Sequence, residues 1–207
     1  NVRQFFHGVG DEVRDVCDLD SDPVVYHPHD NRAVTAPELA HPDYLETYPA
    51  WSADGSELYF CRAPIRWQDR NQVPPAGYAQ VRYSLVKVAF DVATGAVGEV
   101  QTVISAEDTG KSILLPHPSP DGRFVLFCMC DYGCFPIYQP SSDLHLLDRR
   151  TGTHRRLDLN SDRSESWHAW STSSRWIAFS SKRDDGIFTR IYLAHLDEDG
   201  NAGRPFV

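Results

Sequence analysis

The sequence predicts an all-β protein built from a repeated four-stranded unit, and three observations carry that reading. First, three segments align without gaps: Trp51-Ser-Ala-Asp-Gly-Ser-Glu-Leu-Tyr-Phe-Cys61, Pro118-Ser-Pro-Asp-Gly-Arg-Phe-Val-Leu-Phe-Cys128 and Trp170-Ser-Thr-Ser-Ser-Arg-Trp-Ile-Ala-Phe-Ser180. Self-similarity of this kind marks a repeat architecture. Second, a later turn recurs at fixed spacing, Phe90-Asp91-x-x-Thr94-Gly95 and Leu147-Asp148-x-x-Thr151-Gly152, with Leu196-Asp197-Glu198-Asp199-Gly200 as a shorter version. Third, apolar residues alternate or run in strand-length blocks, and Pro or Gly interrupts every longer window, so no helical period competes.

Each copy opens with a short extended piece, turns tightly at Asp54-Gly55, Asp121-Gly122 or Ser173-Ser174, and continues into β-branched and aromatic residues ending in Phe. That is a strand, a hairpin turn and a second strand. The later turn adds a second hairpin, giving four strands per copy. Copies of this kind are blades of a β-propeller, and they are spaced more widely than the roughly 40–45 residues of a minimal blade. Loop insertions at Arg62 to Gln80 and Cys130 to Ser142 absorb the excess and are expected on a propeller face, where binding surfaces lie. The blades are placed at 48–110, 111–159 and 160–207, and the segment 1–47 carries an outer hairpin over Val24 to Leu39. The sum is about three and a half blades, whereas a ring closes with roughly four to eight. The expectation is an arc of a larger ring, because an open arc leaves interblade faces exposed. Two half-rings assembling from two chains is the alternative.

A formal charge of -9 gives no basic field for phosphates, which argues against nucleic acid and anionic membrane surfaces as partners. No stretch approaches the roughly 20 apolar residues that span a bilayer. Of the 20 basic residues only Lys87, Lys111 and Lys182 are lysine, a bias that genome composition explains as readily as carboxylate recognition. The 5 cysteines, Cys17, Cys61, Cys128, Cys130 and Cys134, are an odd set and leave the redox compartment open.

The Trp/Pro-Ser-x-Asp-Gly-x-x-Leu-x-Phe pattern resembles the repeat of TolB-like, WD-repeat-like β-propellers, a family that also supplies propeller domains to some peptidases. The likeness runs from Tyr48 to Val207 and departs from the pattern at Ser173-Ser174, where Asp-Gly is expected. The runs Asn160 to His168, Ser180 to Gly186 and Thr189 to Tyr192 further resemble a bacterial envelope subgroup, which implies a periplasmic or cell-envelope location. Some members of that subgroup carry haem-binding segments, but no Cys-x-x-Cys-His signature occurs here, and the sequence implies no cofactor.

Candidate chemistry is sparse. Cys128-x-Cys130-x-x-x-Cys134 has soft-ligand character but lacks a zinc knuckle and a fourth ligand, so structural thiols or a disulfide are the expected reading. Cys61 and Cys128 share a repeat position with Ser180, which suggests a small buried side chain between blades. His117 and His168 fall on innermost strands near the channel, one position out of register, so a plain pleat points them to opposite sides. Hydrogen-bonded packing is the expected role, with ligand binding or metal ligation the alternative. His27-Pro-His29 is expected to be solvated. Asp18-x-Asp20-x-Asp22 and Asp197-x-Asp199-x-Asn201 imitate calcium loops; a solvated loop explains the first and hairpin turn chemistry the second. Arg183, Asp184 and Arg190 form the densest polar cluster, suited to clamping blades or binding a charged ligand. Trp167, Trp170 and Trp176 are expected between blades, and Arg149, Arg150, Arg155 and Arg156 as an exposed basic edge.

The scaffold hosts unrelated activities. The resulting expectation is a non-catalytic binding or scaffolding module for a protein or glycan partner, or for further blades of the same chain. The alternative is the propeller of an enzyme, with a metal-dependent channel site or as an accessory to a hydrolase or haem domain elsewhere.

Overall fold

The Ser-x-Asp-Gly turns set the architecture. In the computed structural model of the chain, which describes residues 3–9, 13–69, 71–72 and 75–207, all three copies form the same turn. The N–H of Gly55, Gly122 and Ser174 donates to the carbonyl of Ser52, Ser119 and Ser171 at 3.0, 2.9 and 3.0 Å. The serine hydroxyl in the first two copies donates to the turn aspartate, Ser52 to Asp54 at 2.7 Å and Ser119 to Asp121 at 2.6 Å. Each turn closes on a left-handed residue, with φ of 73° at Gly55, 71° at Gly122 and 57° at Ser174. Glycine adopts this region freely, whereas Ser174 does so at a cost. The departure at Ser173-Ser174 therefore preserves the turn.

These turns join β5 (Tyr44–Trp51) to β6 (Glu57–Pro64), β9 (Ser112–Pro118) to β10 (Phe124–Cys130) and β13 (Glu165–Trp170) to β14 (Trp176–Ser181). Antiparallel pairing continues through β7 (Ser84–Ala89) and β8 (Gln101–Ile104) in the first blade and through β11 (Asp143–Asp148) and β12 (Thr153–Arg156) in the second. The third blade adds β15 (Arg190–His195), and its fourth strand shrinks to two bridges, Leu193 with Phe206 and Leu196 with Ala202. Pro205 offers no N–H to a longer ladder. Among the described residues the one α-helix, α1 (Ala106–Thr109), is a single turn between the first two blades.

Ahead of the blades stand two hairpins. β3 (Val25–His27) pairs with β4 (Arg32–Val34) inside the expected Val24 to Leu39 region. A hairpin the sequence reading did not assign, β1 (Arg3–Val9) with β2 (Val13–Asp20), precedes it.

The blades stack face to face. Val25 and Leu39 of the β3–β4 region pack on Leu58, Phe60, Val86 and Val88 of the first blade. Tyr59 and Leu85, on that blade's other face, pack on Ile113, Val125 and Phe127 of the second. Leu126, Cys128, Leu144 and Leu146 then pack on Ile177, Phe179, Ala194 and Leu196 of the third. Each fully buried large side chain contributes roughly 1.5–3 kcal/mol, so these interfaces hold the arc together. The third blade's equivalent outer face is open: the cross-strand pairs Trp176–His195 and Ser180–Ile191 point away from the core, with Trp176 41% and Ile191 66% exposed.

Charged groups tie the blades at their turns. Arg149 of the second blade pairs with Glu57 of the first, and Arg155 donates to the Asp199 carbonyl of the third at 3.2 Å. Arg156 pairs with Asp143 at 2.7 Å. Arg150, Arg155 and Arg156 are exposed, as expected of a basic edge, and Arg149, Arg155 and Arg156 also reach carboxylates or carbonyls nearby.

Ser174 joins two of these themes, since its hydroxyl also accepts the Asp121 N–H at 2.9 Å across the second interface. Ser174→Gly relieves about 1 kcal/mol of left-handed strain and loses a hydrogen bond of about 1 kcal/mol, leaving stability nearly unchanged. Ser174→Ala keeps the strain and loses the bond. Urea unfolding should place the alanine variant about 1 kcal/mol below both the parent and the glycine variant.

Candidate functional site

The innermost strands carry a shared irregularity. On β5, β9 and β13 the residue pairs Tyr48-Pro49, Leu115-Pro116 and Trp167-His168 each stand opposite one residue of the neighbouring strand, Phe60, Phe127 and Phe179. Two residues against one is a β-bulge, and it re-aims side chains. The first residue of each pair is left-handed, with φ of 55° at Tyr48, 54° at Leu115 and 45° at Trp167. No glycine stands there, so each bulge stores roughly 1–2 kcal/mol that the surrounding sheet must hold.

The bulges gather a cavity of about 320 Å³ lined by Tyr48, Pro49, Leu115, Pro116, His117, Trp167 and His168. Trp167 is 44% exposed and makes perpendicular ring contacts with Tyr48 at 6.2 Å and Phe135 at 5.8 Å. The Tyr48 hydroxyl is spent on the Cys134 carbonyl at 2.7 Å.

His117 and His168 point to opposite faces of their own blades, as the register predicts: His117 shares a face with its strand partner Leu126 toward the third blade, and His168 faces the second. Because the blades stack face to face, the two rings meet across the interface with centroids 4.9 Å apart, and His168 Nε2 bonds the Leu126 carbonyl at 3.1 Å. Nε2 is therefore the protonated nitrogen, and Nδ1 faces the Cys128 thiol at 3.7 Å. Burial, reinforced by His117, pushes the His168 pKa down to about 3, and burial lowers that of His117. Both rings are neutral at neutral pH. Packing accounts for both nitrogens of His168, whereas the His117 imidazole has no hydrogen bond to another described residue.

Arg183, Asp184 and Arg190 do not form one site, and none lines this cavity. Arg183 turns inward over the Tyr192 ring at 4.6 Å and bonds Glu165 at 3.1 Å and the Leu159 carbonyl at 3.0 Å. It clamps the third blade to its own lead-in rather than to a neighbouring blade. Asp184 instead pairs outward with Arg190 and accepts from the Tyr192 hydroxyl at 2.7 Å.

Sequence reading missed two buried glutamates at one repeat position, five residues before Trp51 and Trp170. Glu165 is fully satisfied, accepting from Ser161, Ser181 and Arg183. Glu46 lies 3.1 Å from Arg62, and burial, helped by Asp22 and opposed by Arg62, raises its pKa to about 7. Carboxylates at matching places in two predicted strands were the available signal.

Other expectations change as well. Asp18 is a buried strand residue 3.5 Å from the Tyr83 hydroxyl, not part of a solvated loop, because β2 lies against the core. Asp197 does organise a turn, accepting from the Asp199 and Asn201 N–H groups at 2.9 and 2.8 Å. His27 is half-buried against Gly95, while His29 is exposed. Trp170 bridges blades through its Nε1 to the His117 carbonyl at 2.9 Å, whereas Trp176 packs on His195 and Phe206 of its own blade. The five cysteines are buried and are not joined in disulfides. Among the described residues no three His, Cys, Asp or Glu side chains converge as a metal site. The two insertions interlock: Tyr78 accepts the Cys134 N–H at 3.3 Å and donates to the Val16 carbonyl at 2.6 Å. Arg70, Val73 and Pro74 of the first insertion lie outside the described residues.

No family model matches this sequence, and no curated protein matches it. Solved structures do. An oligogalacturonate lyase in complex with manganese superposes with a TM-score of 0.59 at 10% identity, over 94% of this chain and 50% of that one. A Mycobacterium tuberculosis puromycin-hydrolyzing peptidase gives 0.60 at 15% identity, over 98% and 30%. The Dos1 propeller gives 0.55 at 14%, over 94% and 44%. The fold is a partial β-propeller. At these identities the likeness establishes architecture alone, and the chain spans half or less of each matched structure. Among the described residues no helix is long and apolar enough to cross a membrane.

His168 gives this propeller a pH signature. Its folded pKa lies below the unfolded value of about 6.5, so the unfolded chain takes up the proton first and stability falls as pH drops from about 6.5 toward 3. His145, lowered to about 4 by burial, adds to the loss, and Glu46 opposes it between about 4.5 and 7. Replacing His168 with Gln should flatten the profile by up to about 1.4 kcal/mol per pH unit in that window, as read by urea unfolding at several pH values.

Proposed function

We propose that the chain is part of a TolB-like propeller that acts as a non-catalytic binding module in the bacterial cell envelope, holding a protein or glycan partner at the inner-strand cavity. The observation that carries this reading is the cavity's makeup: an exposed indole, a fixed phenol ring and two prolines surround an imidazole, that of His117, with no hydrogen bond to another described residue. Pockets that bind small ligands or single side chains are built in this way, mostly apolar with a few placed polar groups. His168 spends its nitrogens on packing, which favours binding over a two-histidine metal site. The envelope setting and the TolB-like assignment rest on the repeat motif and on the Asn160 to Tyr192 resemblance. Arrays of glycans and peptides probed with the full-length protein test the reading. Trp167→Ala should weaken any specific ligand about threefold to tenfold, the equivalent of ~0.5–1.5 kcal/mol for a lost aromatic contact. Unchanged binding would move the site elsewhere.

The open face of the third blade belongs to the same proposal. Trp176, Ala178 and Ser180 occupy the places of Tyr59 and Cys61 in the first blade and of Phe124, Leu126 and Cys128 in the second, which are buried against the next blade. We read it as the seat of a further blade. Ile191→Ser then costs at least about 2 kcal/mol in the full-length protein, as a core truncation does, against less than about 0.5 kcal/mol if the face meets water. Chemical denaturation separates the two outcomes.

A further inference from the structure

We propose that the inner-strand cavity takes an uncharged sugar ring, a pyranose unit of a neutral oligosaccharide, laid against Trp167. This rests on the binding reading above and narrows it to one ligand class.

The lining selects against charge. Among the described residues no Arg, Lys, Asp or Glu borders the cavity. A carboxylate or ammonium entering it would shed water without gaining a counter-ion, a loss of several kcal/mol. The surrounding net charge of -9 adds a further bias against anionic ligands such as uronates.

The lining also selects against an extended peptide. A peptide brings an N–H and a carbonyl with every residue, and each needs a partner once buried. Pro49 and Pro116 have no N–H to offer, and the His117 carbonyl is already taken by Trp170 at 2.9 Å. At these three points main-chain pairing is lost to an incoming strand, which weakens the case for an extended peptide.

What the cavity does offer is a partly exposed indole and one compact polar point. Trp167 is positioned by Tyr48 and Phe135 yet stays 44% exposed. The neutral His117 imidazole supplies one donor and one acceptor. With Tyr48 and His168 already engaged, side-chain hydrogen bonding falls to that ring and to the indole N–H of Trp167. A pyranose matches this division, with an apolar C–H face for the indole and a hydroxyl, both donor and acceptor, for the imidazole. About 320 Å³ lies at the small end of ligand pockets, room for one or two rings rather than a long chain.

The test is calorimetric titration of the full-length protein with neutral disaccharides of glucose, galactose, mannose and xylose, with digalacturonate and with a mixed peptide library. The expected result is binding of at least one neutral disaccharide at least tenfold tighter than digalacturonate. Trp167→Ala should lose most of that affinity, Trp167→Phe should keep it within about threefold, and His117→Ala should weaken it while leaving the unfolding midpoint in place. Digalacturonate binding as tightly as the neutral sugars overturns the charge argument and leaves a glycan-binding module standing. Peptides binding in a Trp167-dependent way while no sugar does overturns the sugar assignment alone. No titratable ligand in any class, or sugar binding indifferent to both Trp167 and His117, overturns the cavity as the binding site.

Discussion

The left-handed bulge opposite Phe60, Phe127 and Phe179 is the constraint on which the rest of this structure depends. Each innermost strand must bend there, and it does so with Tyr48, Leu115 and Trp167 rather than glycine. Strain of that kind persists only where the environment overdetermines it. The environment is the row of buried phenylalanines together with the interblade clusters on either side. In return, the bend turns three side chains of different character toward common space, so one backbone device repeated three times yields a cavity with a non-repeating lining.

That division explains what was legible in the sequence. Turn chemistry and apolar alternation are local, and the Ser-x-Asp-Gly copies carried the blades, their order and even the deviant Ser173-Ser174 turn. The hairpin of β1 and β2 lacks such a signature and went unassigned. The cavity depends on a residue count between strands, since one extra residue reverses the direction of everything after it. His117 and His168 point to opposite faces of their own blades, as the aligned copies suggest, and they meet because those two faces stack on each other. Trp167 looked like interblade filler because its bulged position carries no compositional mark.

Polar residues were harder to place, because their partners come from distant segments. Arg183 and Asp184 are adjacent in the turn after β14 and find different partners, one holding Glu165 inside and the other Arg190 outside. Arg149 and Arg155 belong to a basic run, yet each reaches a different neighbouring turn. Asp18 sits in an acidic stretch that suggests solvent, and β2 carries it inward toward Tyr83. Charge pattern alone does not distinguish a solvated edge from a set of staples.

The five buried thiols give the molecule a chemical memory of its own integrity. Thiolate is the reactive form of cysteine, and burial drives its formation far above physiological pH, to about 12 at Cys130 and higher at Cys61. Cys61, Cys128 and Cys134 sit in the cluster that joins successive blades and their insertions. Oxidants and alkylating reagents therefore meet these sulfurs only when blades part, and covalent marks accumulate in proportion to the time the stack has spent open. A population that keeps its thiols is one whose interfaces have stayed shut.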